Sequence, residues 1–124
     1  MKMPPKPDPS VELVSARKSR IGSATWLTRA ARNCEELQQK DLATVPIAEY
    51  ELCITNFDKR LSAWDEYEQQ VEFLVEESEM EAEIEAAAVF REKSEKSRTN
   101  LIAAWALKHP VIEENLEAAG SAHG

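Results

Sequence analysis

Two cysteines, Cys34 and Cys53, two histidines, His109 and His123, and the glutamates Glu76, Glu77, Glu79, Glu81, Glu83 and Glu85 are the side chains of this 124-residue chain with chemistry to offer. A thiol or hydroxyl beside an imidazole would make a nucleophile and its base. Both histidines, however, fall in or near the C-terminal tail, and neither has a sequence neighbour that completes such a pair. The 18 residues between the cysteines match neither a C-x-x-C redox motif nor a zinc-ligand spacing. Cys34 falls on an apolar helical face, where a cysteine acts as a small buried hydrophobe. The glutamate run lacks the glycine and the ligand spacing of a calcium-binding EF-hand loop; carboxylates at the start of a helix instead suit the positive end of its dipole. His109 followed by Pro110 reads as a helix end. No catalytic residue, metal ligand or cofactor site is expected, so the chain reads as a non-enzyme.

One group of residues could bind rather than react. Arg17, Lys18, Arg20, Arg29 and Arg32 fall on roughly one half of a helical wheel over the N-terminal third. As a surface for nucleic acid or an acidic membrane, this arc would bind with an affinity that falls steeply with salt. A solvated helix face is the preferred reading, because no aromatic side chains are interleaved there for base stacking. The net charge of −8 also argues against nonspecific nucleic-acid binding by the whole domain. That charge is uneven: residues 1–45 hold eight Lys/Arg against five Asp/Glu, whereas residues 46–109 hold seven against fifteen. The basic N-terminal segment is therefore suited to dock on the acidic remainder or on an acidic partner.

The elements that position these groups are helices. From Ile47 to His109 the chain runs 63 residues without Gly or Pro. Its apolar residues Ile47, Tyr50, Ile54, Phe57, Leu61, Trp64 and Val71 step by three and four, broken only at Glu68. Ser78 and Glu81 have capping-box spacing, which places a turn near residues 76–79; the rival is one helix of about 60 residues, ~90 Å long, that would need a partner chain. A turn there makes two equal arms of ~45 Å. It sets Trp64 level with Arg91 and Tyr50 level with Trp105. Arg91 could then lie over the Trp64 ring or snorkel outward. Inward positions of the last long helix are Ile84, Ala87, Phe90, Leu101 and Trp105, with Arg91, Ser94 and Arg98 or, after a small rotation, Ser94 and Ser97 opposite the bulky Phe57, Leu61 and Trp64, where small residues facing large ones favour close approach. Before the hairpin, Ala24, Leu27, Ala30, Ala31, Cys34 and Leu37 share an arc that Val14 and Ile21 miss, so a kink or phase change is expected at Gly22. The three tryptophans, Trp26, Trp64 and Trp105, one per helix, are expected to fill the core.

The fold class that follows is all-α: an antiparallel three-helix bundle built on a long helical hairpin. Its helices are expected at about 10–40, 47–76 and 79–108, with a short fourth at 111–119 stopped by Gly120. Residues 1–9 hold four of the six prolines and are expected to form a disordered arm, and residues 120–124 a loose tail. That arm is neither a signal peptide nor an apolar span, and Met-Lys lacks the glycine needed for N-myristoylation, so a cytoplasmic location is expected.

The stretch Leu13 to Leu37, with Arg17, Arg20-Ile21-Gly22, Thr28-Arg29 and Asn33, resembles the start of a domain near the N-terminus of Gag polyproteins from BEL/Pao-type LTR retrotransposons. Leu61, Trp64, Tyr67 and Phe73, then the glutamate run with Ile84, Glu85 and Phe90, are similar in order to that family's long-helix region. The resemblance covers about 90 residues, and its motifs are helical and unspecific. It implies a structural protein of a retroelement, or of a host gene derived from one, that acts through self-association with its own or other Gag-like chains. A zinc knuckle, an Asp-Ser/Thr-Gly protease motif and the length for a two-lobed capsid are missing from these residues. The self-association surface is expected near Tyr50, Trp105 and Leu107, where the early kink would leave one end of the hairpin uncovered. The alternative is a monomeric, spectrin-like binding module whose basic first helix recruits an acidic protein, RNA or membrane surface.

Overall fold

The computed structural model describes residues 9–110, which form three helices: α1 (Pro9–Gln38), α2 (Ile47–Leu74) and α3 (Glu77–Lys108). The fold is an all-α bundle, with no strand among the described residues. Of the arm expected at residues 1–9, Pro9 instead opens α1, as its fixed φ allows at a first helical position; residues 1–8, the short fourth helix at 111–119 and the tail lie outside the described residues. α2 runs antiparallel to both neighbours, as the pairs Cys34 with Cys53 and Tyr50 with Trp105 require, while α1 and α3 run parallel.

α1 packs backbone against both other helices more extensively than they pack against each other. The reason lies in side-chain size. The inward row of α1 carries Ala16, Ala24, Ala30, Ala31 and Cys34, so a neighbouring backbone can come near it. α2 and α3 meet largely through big rings, Tyr50 stacked on Trp105 and Trp64 tilted against Phe90, which hold their axes apart. The hairpin is therefore not the core by itself, and α1 completes it. The small serines of α3 correct the expectation in the same sense: Ser94 and Ser97 are buried, but Ser97 Oγ donates to Glu35 Oε1 of α1 at 2.8 Å rather than admitting α2.

α1 is continuous through Gly22, and its inward row keeps one phase on both sides of it. The apolar row was legible only in part because Arg20 belongs to it. Leu13, Ala16, Arg20, Ala24, Leu27, Ala31 and Cys34 keep an unbroken three-and-four spacing, while Val14 and Ile21 simply face outward. A Cβ at Gly22 would meet nothing within 4 Å. Gly22→Ala is expected to stabilise the chain by about 0.5–1 kcal/mol through helix propensity, read as a rise in the urea midpoint; a destabilised variant would show that the glycine serves packing after all.

The turn between α2 and α3 falls at Val75 and Glu76, both in extended conformation, and not at Ser78, whose capping box does not form; the N-cap Glu76 makes no side-chain cap bond. Val75 is buried with Val71 and Ala16, so burial of a β-branched side chain stops the helix where no Gly or Pro does. The loop from α1 to α2 is held by the Asp41 carboxylate, which accepts the Ala43 N–H at 3.2 Å, and by inward Leu42 and Val45.

The core is in two parts separated by charge. A large cluster around Leu27, Phe57, Trp64, Leu101 and Trp105 fills one end, and a small one around Ala16, Val71 and Val75 fills the other. Between them each helix contributes a polar residue to its inward row: Arg20 from α1, Glu68 from α2 and Glu83 from α3. Arg20 Nη1 donates to Glu68 Oε1 at 2.7 Å and also to Glu83. Arg20 therefore leaves the outer basic arc, and Glu68 is an inward member of its row, 1% exposed. Glu83 likewise leaves the solvated acidic run. Burial pushes the Glu68 carboxyl up to about 7; the Arg20 contact opposes this, and neighbouring Glu72 and Glu83 reinforce it. Burial alone would lower the Arg20 guanidinium, but the two carboxylates outweigh it and hold it above its ordinary value. One guanidinium neutralises one carboxylate, and the second favours a proton.

Candidate interaction surface

The remaining basic residues divide. Arg17 is half-buried, and Lys18, Arg29 and Arg32 are exposed on α1. A residue from another helix joins them: Arg60 of α2 lies level with Trp26 and approaches the same ring. The guanidinium carbons of Arg29 and Arg60 stand 5.0 and 4.8 Å from the Trp26 ring centroid. Trp26 is 50% exposed, so of the three tryptophans only Trp64 and Trp105 fill the core. The ring that sequence reasoning missed in the basic arc was within it, three residues before Arg29. It was assigned inward because it lies at the margin of the apolar stripe.

Trp26, Arg29, Arg32 and Arg60, with Asn33, Asn56 and the carboxylate of Glu36, line a depression of about 460 Å³ between α1 and α2. Among the described residues, none of these arginines has a carboxylate within 4.0 Å. Elsewhere arginines are matched across helices: Arg98 Nε donates to Asp58 Oδ1 at 2.7 Å, and Arg91 Nε to Asp65 Oδ1 at 3.1 Å. Arg91 also stands 5.3 Å over the Trp64 ring, which unites the two alternatives for its side chain. In so acidic a chain, two guanidiniums over a half-exposed indole, with unmatched Arg32 in the same depression, form a surface able to hold an anionic group beside a flat or apolar one.

The same α1/α2 face continues to both ends of the helices. Towards the α2–α3 turn, Glu12, Ser15 and Ser19 of α1 face Glu66, Gln70 and Phe73 of α2, with Phe73 87% exposed. Towards the α1–α2 loop, Lys40 and Asn33 face Glu49 and Leu52, with Leu52 70% exposed.

The residues expected to mediate self-association are mostly engaged within the chain. Tyr50 and Trp105 stack with centroids 4.2 Å apart, and Trp105 stacks in turn on His109 at 3.8 Å. His109 Nε2 donates to the Leu42 carbonyl at 2.7 Å, tying the end of α3 to the α1–α2 loop. Leu107 alone of the three is freely exposed.

The thiols meet at a sulfur–sulfur distance of 3.6 Å, Cys34 buried and Cys53 half-buried. Burial pushes the Cys34 thiol up to about 12, with Cys53 adding to the effect, so it is a packing group at neutral pH and not a thiolate nucleophile. Among the described residues no three His, Cys, Asp or Glu side chains gather to hold a metal ion. No described helix is long and apolar enough to cross a membrane. No protein-family model, curated protein or solved structure matches this chain.

Proposed function

We propose that the chain is a non-enzymatic assembly domain that works by helix-mediated self-association, the role implied by its resemblance to Gag polyproteins of BEL/Pao-type retrotransposons. The observation that carries this reading is the α1/α2 face, where Leu52, Trp26 and Phe73 are exposed along a single surface of a thin bundle. Scattered apolar side chains on a surface are ordinary, and three large ones on the same pair of helices support reading that face as a contact face. The chain is expected to sediment as a dimer or larger species that dissociates on dilution. Sedimentation equilibrium over a concentration series at two salt levels decides it, and a 14.0 kDa species throughout overturns the reading.

A second reading, a binding module that recruits an acidic protein, RNA or membrane surface, is favoured by the unmatched arginines around Trp26. It requires binding that weakens steeply with salt and is lost in Arg29→Ala/Arg32→Ala.

A further inference from the structure

We infer that two copies of this chain meet through their outer α1/α2 faces in an antiparallel, two-fold arrangement, with Trp26, Arg29 and Arg60 of each copy receiving Glu12, Phe73 and Glu76 of the other. This rests on the assembly reading above and adds to it the surface, its orientation and the charges that align it.

The first argument is complementarity along a single face. The middle of the face is cationic on balance and aromatic: Glu36 lines it too, but three arginines outnumber it, two guanidiniums stand within 5.0 Å of the Trp26 centroid, and neither has a carboxylate within 4.0 Å. The end near the α2–α3 turn is anionic and apolar: Glu12 and Phe73 line one groove, Glu76 follows at the turn, and all three are exposed without an ion-pair partner among the described residues. The excess charge of each half is opposite to that of the other.

The second argument is distance. Trp26 lies level with Arg60, and Phe73 lies 13 residues further along α2, roughly 20 Å at 1.5 Å per residue. Side chains cannot span that gap, so the two halves cannot satisfy each other within one chain.

Geometry then selects the orientation. A parallel, unshifted pairing would set arginines on arginines and glutamates on glutamates. An antiparallel pairing about an axis near Arg20 brings the Trp26 level of one chain to the Phe73 level of the other. The Arg29 level then meets the Glu12 and Glu76 levels. Two-fold symmetry repeats the contact, so both sets form at once and the assembly closes. The overlap, from Glu12 to Arg29 on α1, is about 26 Å long and two helix widths across, on the order of 500 Å² per chain. That is the low end for a specific interface, so the pair is expected to be weak and sensitive to salt.

The test is complementation by charge reversal in the full chain. Arg29→Glu/Arg60→Glu and Glu12→Arg/Glu76→Arg are made separately, and each is first checked for unchanged helical circular dichroism. Sedimentation equilibrium is expected to give each variant alone a dissociation constant at least 100-fold weaker than the wild type. An equimolar mixture is expected to recover a species of twice 14.0 kDa, because the reversed charges then face each other at one contact and the native charges at the other. Phe73→Ser supplies a charge-neutral check and is expected to weaken association as well. If the wild type associates while neither reversal changes it, or if the mixture does not recover, this face is refuted and the assembly reading stands. A wild type that stays monomeric removes both. Capture of an oligothymidylate by a monomeric wild type, lost on Trp26→Ala, would give the face another occupant and overturn the pairing.

Discussion

Arg20→Met is expected to lower stability by about 3–5 kcal/mol at pH 8 and by distinctly less at pH 5, the cost of leaving a buried carboxylate without its counter-charge. Glu68 is almost fully buried, its Oε1 is held by Arg20, and its Oε2 has no hydrogen-bond partner. With the guanidinium gone, Glu68 must stay charged in an apolar layer or take up a proton, and at pH 5 the proton is available. Glu83, less deeply buried, can turn to water. The double variant Arg20→Met/Glu68→Leu should recover most of the loss, since replacing a buried pair by apolar side chains is often neutral or better. The wild type carries the same chemistry in milder form. Native Glu68 keeps its proton up to about 7, against 4.5 as the ordinary value, so this group's favourable contribution is whole below 4.5. It is lost as pH rises through 7. Urea unfolding of the three proteins at both pH values measures all of this; a loss under 1 kcal/mol at pH 8 for Arg20→Met would mean that the layer is hydrated and its charges cost little.

That layer also marks where reading one helix at a time fails. Arg20 appeared as part of an outer basic arc, Glu68 as the gap in a heptad row and Glu83 as one of a solvated acidic run. Each residue breaks the pattern of its own helix, and they compensate one another only once the three helices are side by side. What depends on periodicity along one chain was legible: the helices themselves, and the levels that set Trp64 beside Arg91 and Tyr50 beside Trp105, now seen as a 5.3 Å cation–π contact and a 4.2 Å stack. What depends on tertiary burial was not. Val75 ends α2 because its side chain is buried beside Val71 and Ala16, whereas the better local signal at Ser78 goes unused. The surface around Trp26 was half legible: its arginines on α1 were recognised as a patch, but Arg60 lies 31 residues beyond Arg29 and reaches the ring only through the α1–α2 packing.

Trp105→Ala is expected to cost about 3–5 kcal/mol, as large aromatic truncations in cores do, and Trp26→Ala less than about 1 kcal/mol, although both remove the same side chain. The contrast follows from what each ring touches. Trp105 is 8% exposed, packed between Tyr50 and His109, and His109 in turn holds the Leu42 carbonyl of the α1–α2 loop. Removing it opens a cavity at the closed end of the bundle and frees the loop residues Leu42 and Val45, which share its cluster. The loss should appear as a fall of more than about 10 °C in Tm. Trp26 carries two arginines on the surface, so its removal gives back mainly two cation–π contacts and some apolar cover. Measured by thermal unfolding at a concentration where the chain is monomeric, comparable losses for the two variants would show that Trp26 is part of the core, and the case for an exposed aromatic surface would end there. Unequal losses, with association weakened only by Trp26→Ala, would separate the ring that builds the fold from the ring that meets a partner.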